Sequence, residues 1–253
     1  MPGEGNHRQA DATTAMLRVD LHSHTCYSHD GHTPPDVLVD RAREVGLDRI
    51  AVTDHGTIEG ALLAKERAPM LVIVGEEIRC ACRTELIGLF LSERIPQRLS
   101  IDETVARVRA QGGVVYAPHP YAYARQALRR ARRALKRADV VEAVNARAFL
   151  PGWNRAATRA AAARGLPAAA GSDAHFAFEI GRAYAEMPAF DDAVGFREAV
   201  QRSIPVQVRL SHPVLHVVGF AIACRGIALD LAVAAGPAVR VRQAGITATS
   251  TGG

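Results

Sequence analysis

Histidine, aspartate and glutamate recur along this chain in tight clusters whose spacing suits the binding of divalent cations. The first is Asp20-Leu21-His22-Ser23-His24. Alternate side chains of an extended strand share a face, so His22 and His24 point the same way. Taken alone, a His-x-His pair is more often incidental than a metal site. Four further clusters each follow an apolar run: Thr53-Asp54-His55-Gly56, Gly75-Glu76-Glu77, Pro118-His119-Pro120 and Gly171-Ser172-Asp173-Ala174-His175. Each supplies nitrogen or oxygen donors of the kinds that divalent metals take. Five such coincidences point to one centre rather than five accidents. Nucleophilic serine chemistry is not indicated, because Ser23, Ser28 and Ser172 lack the glycine elbow of a serine hydrolase, and the chain has no glycine-rich Lys-Ser/Thr loop for nucleoside triphosphates.

The elements that must position these residues alternate in type. Leu17–His24, Arg49–His55, Met70–Glu77, Thr84–Leu91, Gly113–His119, Val140–Asn145 and Leu166–Asp173 read as strands ending in polar residues. Helix signals lie between several of them. Thr33-Pro34-Pro35-Asp36 resembles a capping box followed by a stop at Gly46, Ser100-Ile101-Asp102-Glu103 opens a helix that Gly112 closes, and the alanine-rich Arg155–Arg164 is stopped by Gly165 and Pro167. Alternation of this kind implies an α/β fold with a parallel sheet, open or closed. Ligand-type residues at five strand ends favour closure, because the C-terminal rim of a parallel barrel gathers its strand ends around one point. The expected organisation is an N-terminal arm over 1–15, a barrel over 16–205 and an extension over 206–253 ending in a frayed tail. Within the extension, Val206–Leu210 could be one more strand.

Composition bounds the rest. The chain has 253 residues, 48% hydrophobic and 23% charged, which is enough for one barrel-sized core and excludes disorder throughout. Between Arg209 and Arg225 lie fifteen uncharged residues, fewer than the roughly 20 of a membrane-spanning helix, so no membrane span is expected. Met1–Ala15 has no apolar core and does not read as a secretory signal. Cys26, Cys80, Cys82 and Cys224 do not form a disulfide framework, which makes a reducing cytoplasm the default location. The net charge of +5 comes almost entirely from arginine, a bias that base composition could cause, and is weak evidence for nucleic-acid binding. The dense run Arg125, Arg129, Arg130, Arg132, Arg133, Lys136 and Arg137 occupies all helical phases and reads as a solvated helix, Arg125 standing apart.

Together the motifs resemble the polymerase and histidinol phosphatase (PHP) superfamily of metal-dependent phosphoesterases from about Arg18 to Arg182. The resemblance is carried by DLHSHTCYSHDG at Asp20–Gly31, TDHG at Thr53–Gly56, VGEEI at Val74–Ile78, PHP at Pro118–Pro120 and GSDAHFAFEIG at Gly171–Gly181. It implies a distorted (β/α)7 barrel of PHP type holding two or three divalent metal ions, usually Mn, Zn or Fe, at the C-terminal rim. Residue by residue, it implies that His22 and His24 bind a first metal with Glu77 as bridging ligand and Asp173 as a further one. His55 and His175, helped by Asp30, would bind another, and His119 the remaining one. Asp20 and Asp54 would lie behind the ligands, orienting imidazoles through their N–H groups. At Glu85 the sequence departs from the pattern, since much of the superfamily has histidine there; a glutamate would still offer oxygen to the third metal and favour harder ions such as Mn.

Such a centre would hold a hydroxide between its cations and attack phosphorus in line, with Asp173 or His175 shuttling the proton. The expected substrate is a small phosphate ester: a nucleotide, a short oligonucleotide or another phosphomonoester. Arg125 and Arg147, just beyond two strand ends, and Asn145 beside Arg147 are candidates to bind its phosphate, since guanidinium matches phosphate oxygens in a bidentate fork. Two alternatives stand beside this reading. A non-catalytic binding or regulatory module would keep the barrel without the chemistry. A metal-dependent C–N hydrolase also begins with His-x-His, but usually recruits a strand lysine, and neither Lys65 nor Lys136 sits at a strand end.

Overall fold

The computed structural model describes residues 15–122, 127–211 and Val214. Its strands are β1 (Met16–Asp20), β2 (Arg49–Val52), β3 (Val72–Arg79), β4 (Glu85–Leu89), β5 (Val114–Ala117), β6 (Val140–Asn145), β7 (Ala168–Gly171), β8 (Ala183–Pro188) and β9 (Ile204–Gln207). The helices are α1 (Pro35–Glu44), α2 (Glu59–Arg67), α3 (Ile101–Ala110), α4 (Ala127–Leu135), α5 (Pro151–Ala162) and α6 (Ala193–Ala199). One sheet holds all nine strands in the order β7-β6-β5-β4-β3-β2-β1-β8-β9.

The sheet curls until its first and seventh strands meet. Just beyond β1, the Leu21 N–H donates to Ala170 O at 3.2 Å and the His24 N–H to Ala174 O at 2.8 Å, while the Asp173 N–H beyond β7 donates back to His22 O at 2.8 Å. Strands β1 to β7 thus close a distorted seven-stranded α/β barrel at one rim. At the other end β8 runs antiparallel beside β1, pairing Val19 with Ala185 and Met16 with Pro188, and β9 adds to its outer edge.

Two features depart from the expected parallel sheet. Strand β4 is antiparallel to both β3 and β5, because only five residues join β3 to β4, whereas a parallel crossover needs a dozen or more. Strand β8 was not expected. Its Ala183, Ala185 and Met187 are buried while Tyr184 and Glu186 are only partly covered, a period-two pattern muted by small side chains. Strand β9 begins two residues before the further strand expected at Val206 and crosses the boundary expected after residue 205. The N-terminal arm up to residue 14, and the extension beyond Ser211 apart from Val214, lie outside the described residues, Cys224 among them.

Alternation along each strand sorts its side chains into two layers. Val19, Leu21, Ala51, Ile73, Ile87, Leu89, Tyr116 and Val140 fill the barrel interior, with Phe190 and Phe196 in the same cluster. Ile50, Val52, Val72, Val74, Leu86 and Val115 face outward and pack with Leu38, Val39, Ala61 and Val105 of the helices. Each such side chain removed from water contributes roughly 1.5–3 kcal/mol. Helix α3 begins at the expected capping box, with the Ser100 hydroxyl and Glu103 carboxylate satisfying each other's backbone N–H groups. Helix α1 begins differently: Pro34 is its N-cap and Pro35 occupies the first turn, where a missing N–H costs nothing, so Thr33 caps nothing. No described helix is long and apolar enough to cross a membrane.

Candidate metal centre

Strand parity aims the first carboxylate. On β3, Glu77 shares the inward face with Ile73, whereas Glu76 faces the helix layer with Val74. Glu76 accepts hydrogen bonds from Ile95 N at 2.7 Å and Gln97 Nε2 at 2.9 Å, a structural task. Glu77, almost wholly buried, stands at the middle of the rim.

Around Glu77 the clusters of the sequence converge. His22 Nε2 lies 3.0 Å from His24 Nε2, 3.2 Å from Glu77 Oε2 and 3.6 Å from Asp173 Oδ1. His24 Nε2 lies 3.5 Å from Glu77 Oε2 and 3.4 Å from Asp173 Oδ1. On one side, Asp30 Oδ2 sits 3.1 Å from His175 Nε2 and 3.5 Å from His55 Nε2, while His55 Nδ1 is 3.5 Å from Glu77 Oε2. On the other, Glu77 Oε1, buried without a hydrogen-bond partner, faces His119 Nε2 at 3.3 Å. Glu85, the first residue of the antiparallel β4, starts at this same rim and joins Glu77 and His119 in one donor group. All nine side chains expected as ligands therefore fall into four overlapping groups: His24, Asp30, His55 and His175; His22, His24 and Glu77; His22, His119 and Asp173; Glu77, Glu85 and His119.

The donor set fits metal ions. Four donors held about 2.1 Å from one ion in a tetrahedron lie about 3.4 Å apart, the spacing found among His22, His24, Glu77 and Asp173. Ring orientation agrees. His22 Nδ1 hydrogen-bonds Glu142 Oε1 at 3.0 Å, His24 Nδ1 lies 3.4 Å from Ser28 Oγ, and His175 Nδ1 donates to the Asp173 carbonyl at 2.8 Å. These outer contacts turn each Nε2 inward. Two imidazole Nε2 atoms facing each other at 3.0 Å need a proton or a cation between them.

Charge makes the same demand. Burial opposes ionisation of Glu77 and Asp173, yet surrounding histidines hold both well below the usual carboxylate range, His55 and His22 acting on Glu77 and His22 and His24 on Asp173. Burial also opposes a charge on His22, but Asp173, Glu142 and Glu77 raise its pKa well above the ordinary imidazole value. His55 and His119 are lifted to about 9 against burial, chiefly by Glu77. His24 goes the other way, to about 3, through burial and its neighbour His175. Burial and Glu77 push Glu85 up. The rim is an anionic pocket that recruits protons where cations would serve.

The backbone is bent to suit. Asp173 has φ of 54°, a left-handed conformation that aspartate tolerates better than most residues. Gly171 permits the close approach of β7 to β1, because a Cβ there would strike His22 Cβ and Glu142 Oε1.

Other expected residues have different partners. Asp20 does not reach an imidazole nitrogen: its carboxylate accepts from Ser172 N at 2.8 Å, Gly181 N at 3.2 Å and His22 N at 3.3 Å, all backbone groups, because a short side chain at a strand end meets the backbone first. Asp54 likewise accepts from Thr25 N and Thr25 Oγ1, each at 2.6 Å. Asn145 donates to Glu142 Oε2 at 2.9 Å and Asp173 Oδ2 at 3.2 Å. Arg147 is buried, its guanidinium 3.1 Å from Glu179 Oε2, and that oxygen also accepts from His175 N at 3.2 Å. Arg125 lies outside the described residues. Sequence reasoning missed Glu142, whose carboxylate also accepts from His119 N at 2.6 Å. The available signal was parity: Glu142 shares the inward face of β6 with Val140.

Comparison with known proteins agrees with this picture. Residues 20–95 match the family profile described as PHP domain, and residues 151–203 the one described as PHP-associated. An uncharacterised protein of Methanocaldococcus jannaschii is 37% identical over 118 residues, 42% of this chain and 68% of that protein. A second from the same organism is 34% identical over 174 residues, 66% of this chain and 69% of that protein. Among solved structures, a two-domain Bacteroides vulgatus protein described as containing a predicted PHP-like metal-dependent phosphoesterase superposes with a TM-score of 0.63 at 21% identity, over 76% of this chain and 65% of that one. That likeness is one of fold, and the chain spans about two thirds of each of these relatives.

Proposed function

This chain belongs to the PHP superfamily, and from that premise we propose that it is a metal-dependent phosphoesterase acting on small phosphate esters, nucleotides and short oligonucleotides among them. The observation that carries the reading is the convergence of four donor groups on one rim, two of them through Glu77. Bound Mn, Zn or Fe ions would polarise the phosphoryl oxygens and lower the pKa of water. His22, His24 and Asp173 with Glu77 would hold one ion, Asp30, His55 and His175 a second, and His119 with Glu85 and Glu77 a third.

The chain's other residues fix this frame. Glu142 holds the His22 ring and the His119 backbone together. Asn145 and Arg147, expected at the phosphate, act on it at one remove: Asn145 steadies Asp173, and Arg147 steadies Glu179, which in turn holds the His175 backbone. The proton for the leaving oxygen falls to Asp173 or His175, whose side chains are 8% and 10% exposed at the rim. The full donor set favours an enzyme over a binding module.

The test strips the protein with a chelator, reloads it with Mn, Zn or Fe and follows phosphate and ammonia release over panels of esters and amides. Phosphate release that appears only on reloading supports the reading. Ammonia release without phosphate would make the chain a C–N hydrolase, and neither product from fully loaded protein would make it a binding module.

A further inference from the structure

Beside the rim, a pocket of about 40 Å³ is lined by Thr84, Glu85, Pro118, His119, Ala122 and Arg130. Arg130 enters it from α4, whose Ala134, one turn further on, leaves the same wall open. The Arg130 side chain is half-buried, and its Nε is sealed from water with no hydrogen-bond partner among the described residues. A buried donor left unpaired is costly, and a native chain that keeps one calls for a partner that arrives later. Glu85 lines the same pocket, yet among the described residues no ion pair within 4.0 Å joins it to Arg130. A guanidinium and a carboxylate that share a cavity without pairing leave room between them. What fits is an oxyanion that offers one oxygen to the fork of Arg130 and others to the side carrying Glu85, Glu77 and His119.

We propose that Arg130 binds the terminal phosphoryl group of the substrate in this pocket, and that the pocket makes the chain selective for phosphomonoesters over diesters. The inference rests on the phosphoesterase reading above and narrows its substrate class. Size carries the selectivity. About 40 Å³ of space for water-sized centres holds roughly three such groups, the bulk of phosphoryl oxygens, and Pro118 and Pro120 wall it with backbone of fixed φ. A diester would have to place its second alcohol there. The neighbouring Arg129 is exposed, so the phase of α4, not the density of arginines, singles out Arg130.

The direct test is calorimetric binding of inorganic phosphate to Mn-loaded protein, wild type against Arg130→Ala. Losing a charge-assisted contact should weaken phosphate about ten- to hundredfold. Metal content should stay the same, and Arg130→Lys, which keeps the charge without the fork, should recover part of the loss. With p-nitrophenyl phosphate, KM should rise more than kcat falls, and the preference for this monoester over bis(p-nitrophenyl) phosphate should shrink. If Arg130→Ala melts early, Arg130→Gln, which keeps the length of the side chain, takes its place under the same criteria. Unchanged phosphate affinity and an unchanged monoester preference overturn the proposal, as does wild-type protein that binds no phosphate. Wild-type protein that binds phosphate through Arg130 but hydrolyses no ester would instead sink the phosphoesterase reading and leave the pocket standing.

Discussion

Replacing Glu142 with glutamine tests whether the outer contacts of the rim set its chemistry. The Glu142 carboxylate accepts on both oxygens: Oε1 from His22 Nδ1 at 3.0 Å, and Oε2 from His119 N at 2.6 Å and Asn145 Nδ2 at 2.9 Å. Glutamine has one acceptor oxygen. It should turn that oxygen to the backbone N–H of His119 and the amide of Asn145, which places its NH2 against His22 Nδ1. The imidazole then does best by accepting at Nδ1 and carrying its proton on Nε2, the atom that faces His24, Glu77 and Asp173. A metal would have to expel that proton or force a buried donor against another donor, at about 1–3 kcal/mol. This corresponds to metal affinity weakened about ten- to hundredfold, the usual cost of losing an outer partner of a ligand. Competition against a chromogenic chelator measures the affinity, and nitrogen NMR of the His22 ring reads the tautomer. Wild-type affinity in Glu142→Gln, with the His22 proton still on Nδ1, would refute the reasoning.

Gly171→Ala should distort the rim, because the new methyl meets His22 Cβ and Glu142 Oε1; we expect lower metal occupancy by elemental analysis and a stability loss of about 1–3 kcal/mol in denaturant titration. Ser100→Ala removes the α3 cap far from the rim and should cost about 1 kcal/mol, seen as a melting temperature lower by about 2–4 °C, with metal content and turnover unchanged. Metal binding at pH 7 should release protons, since His55 and His119 are held at about 9 and must lose them to ligate; apparent affinity should therefore climb as pH rises towards 9. Calorimetry in buffers of different ionisation enthalpy measures that release, and heats independent of the buffer would count against it.

Much of this site was legible because strand parity and ligand chemistry act locally. The choice of Glu77 over Glu76 follows from which face Ile73 takes, and the two histidines of Asp20–His24 announce themselves by spacing. What stayed hidden depends on long-range geometry. The direction of β4 is set by the short connection from β3, so the apolar run of Thr84–Leu91 alone could not reveal that Glu85 begins the strand at the rim. Glu142 is one carboxylate in an otherwise apolar strand, and its partners lie 120 and 23 residues away in sequence. Arg130 is one arginine among many until the rotation of α4 against the sheet fixes which of them turns inward.

The central claim is that Glu77 and the imidazoles around it hold divalent cations. Anomalous diffraction from crystals of the Mn-loaded protein, collected on either side of the absorption edge, tests this most directly. The account predicts two or three anomalous peaks clustered about Glu77, one of them within about 2.0–2.3 Å of His22 Nε2 and His24 Nε2. A fully loaded crystal with no peak beside Glu77 would contradict it.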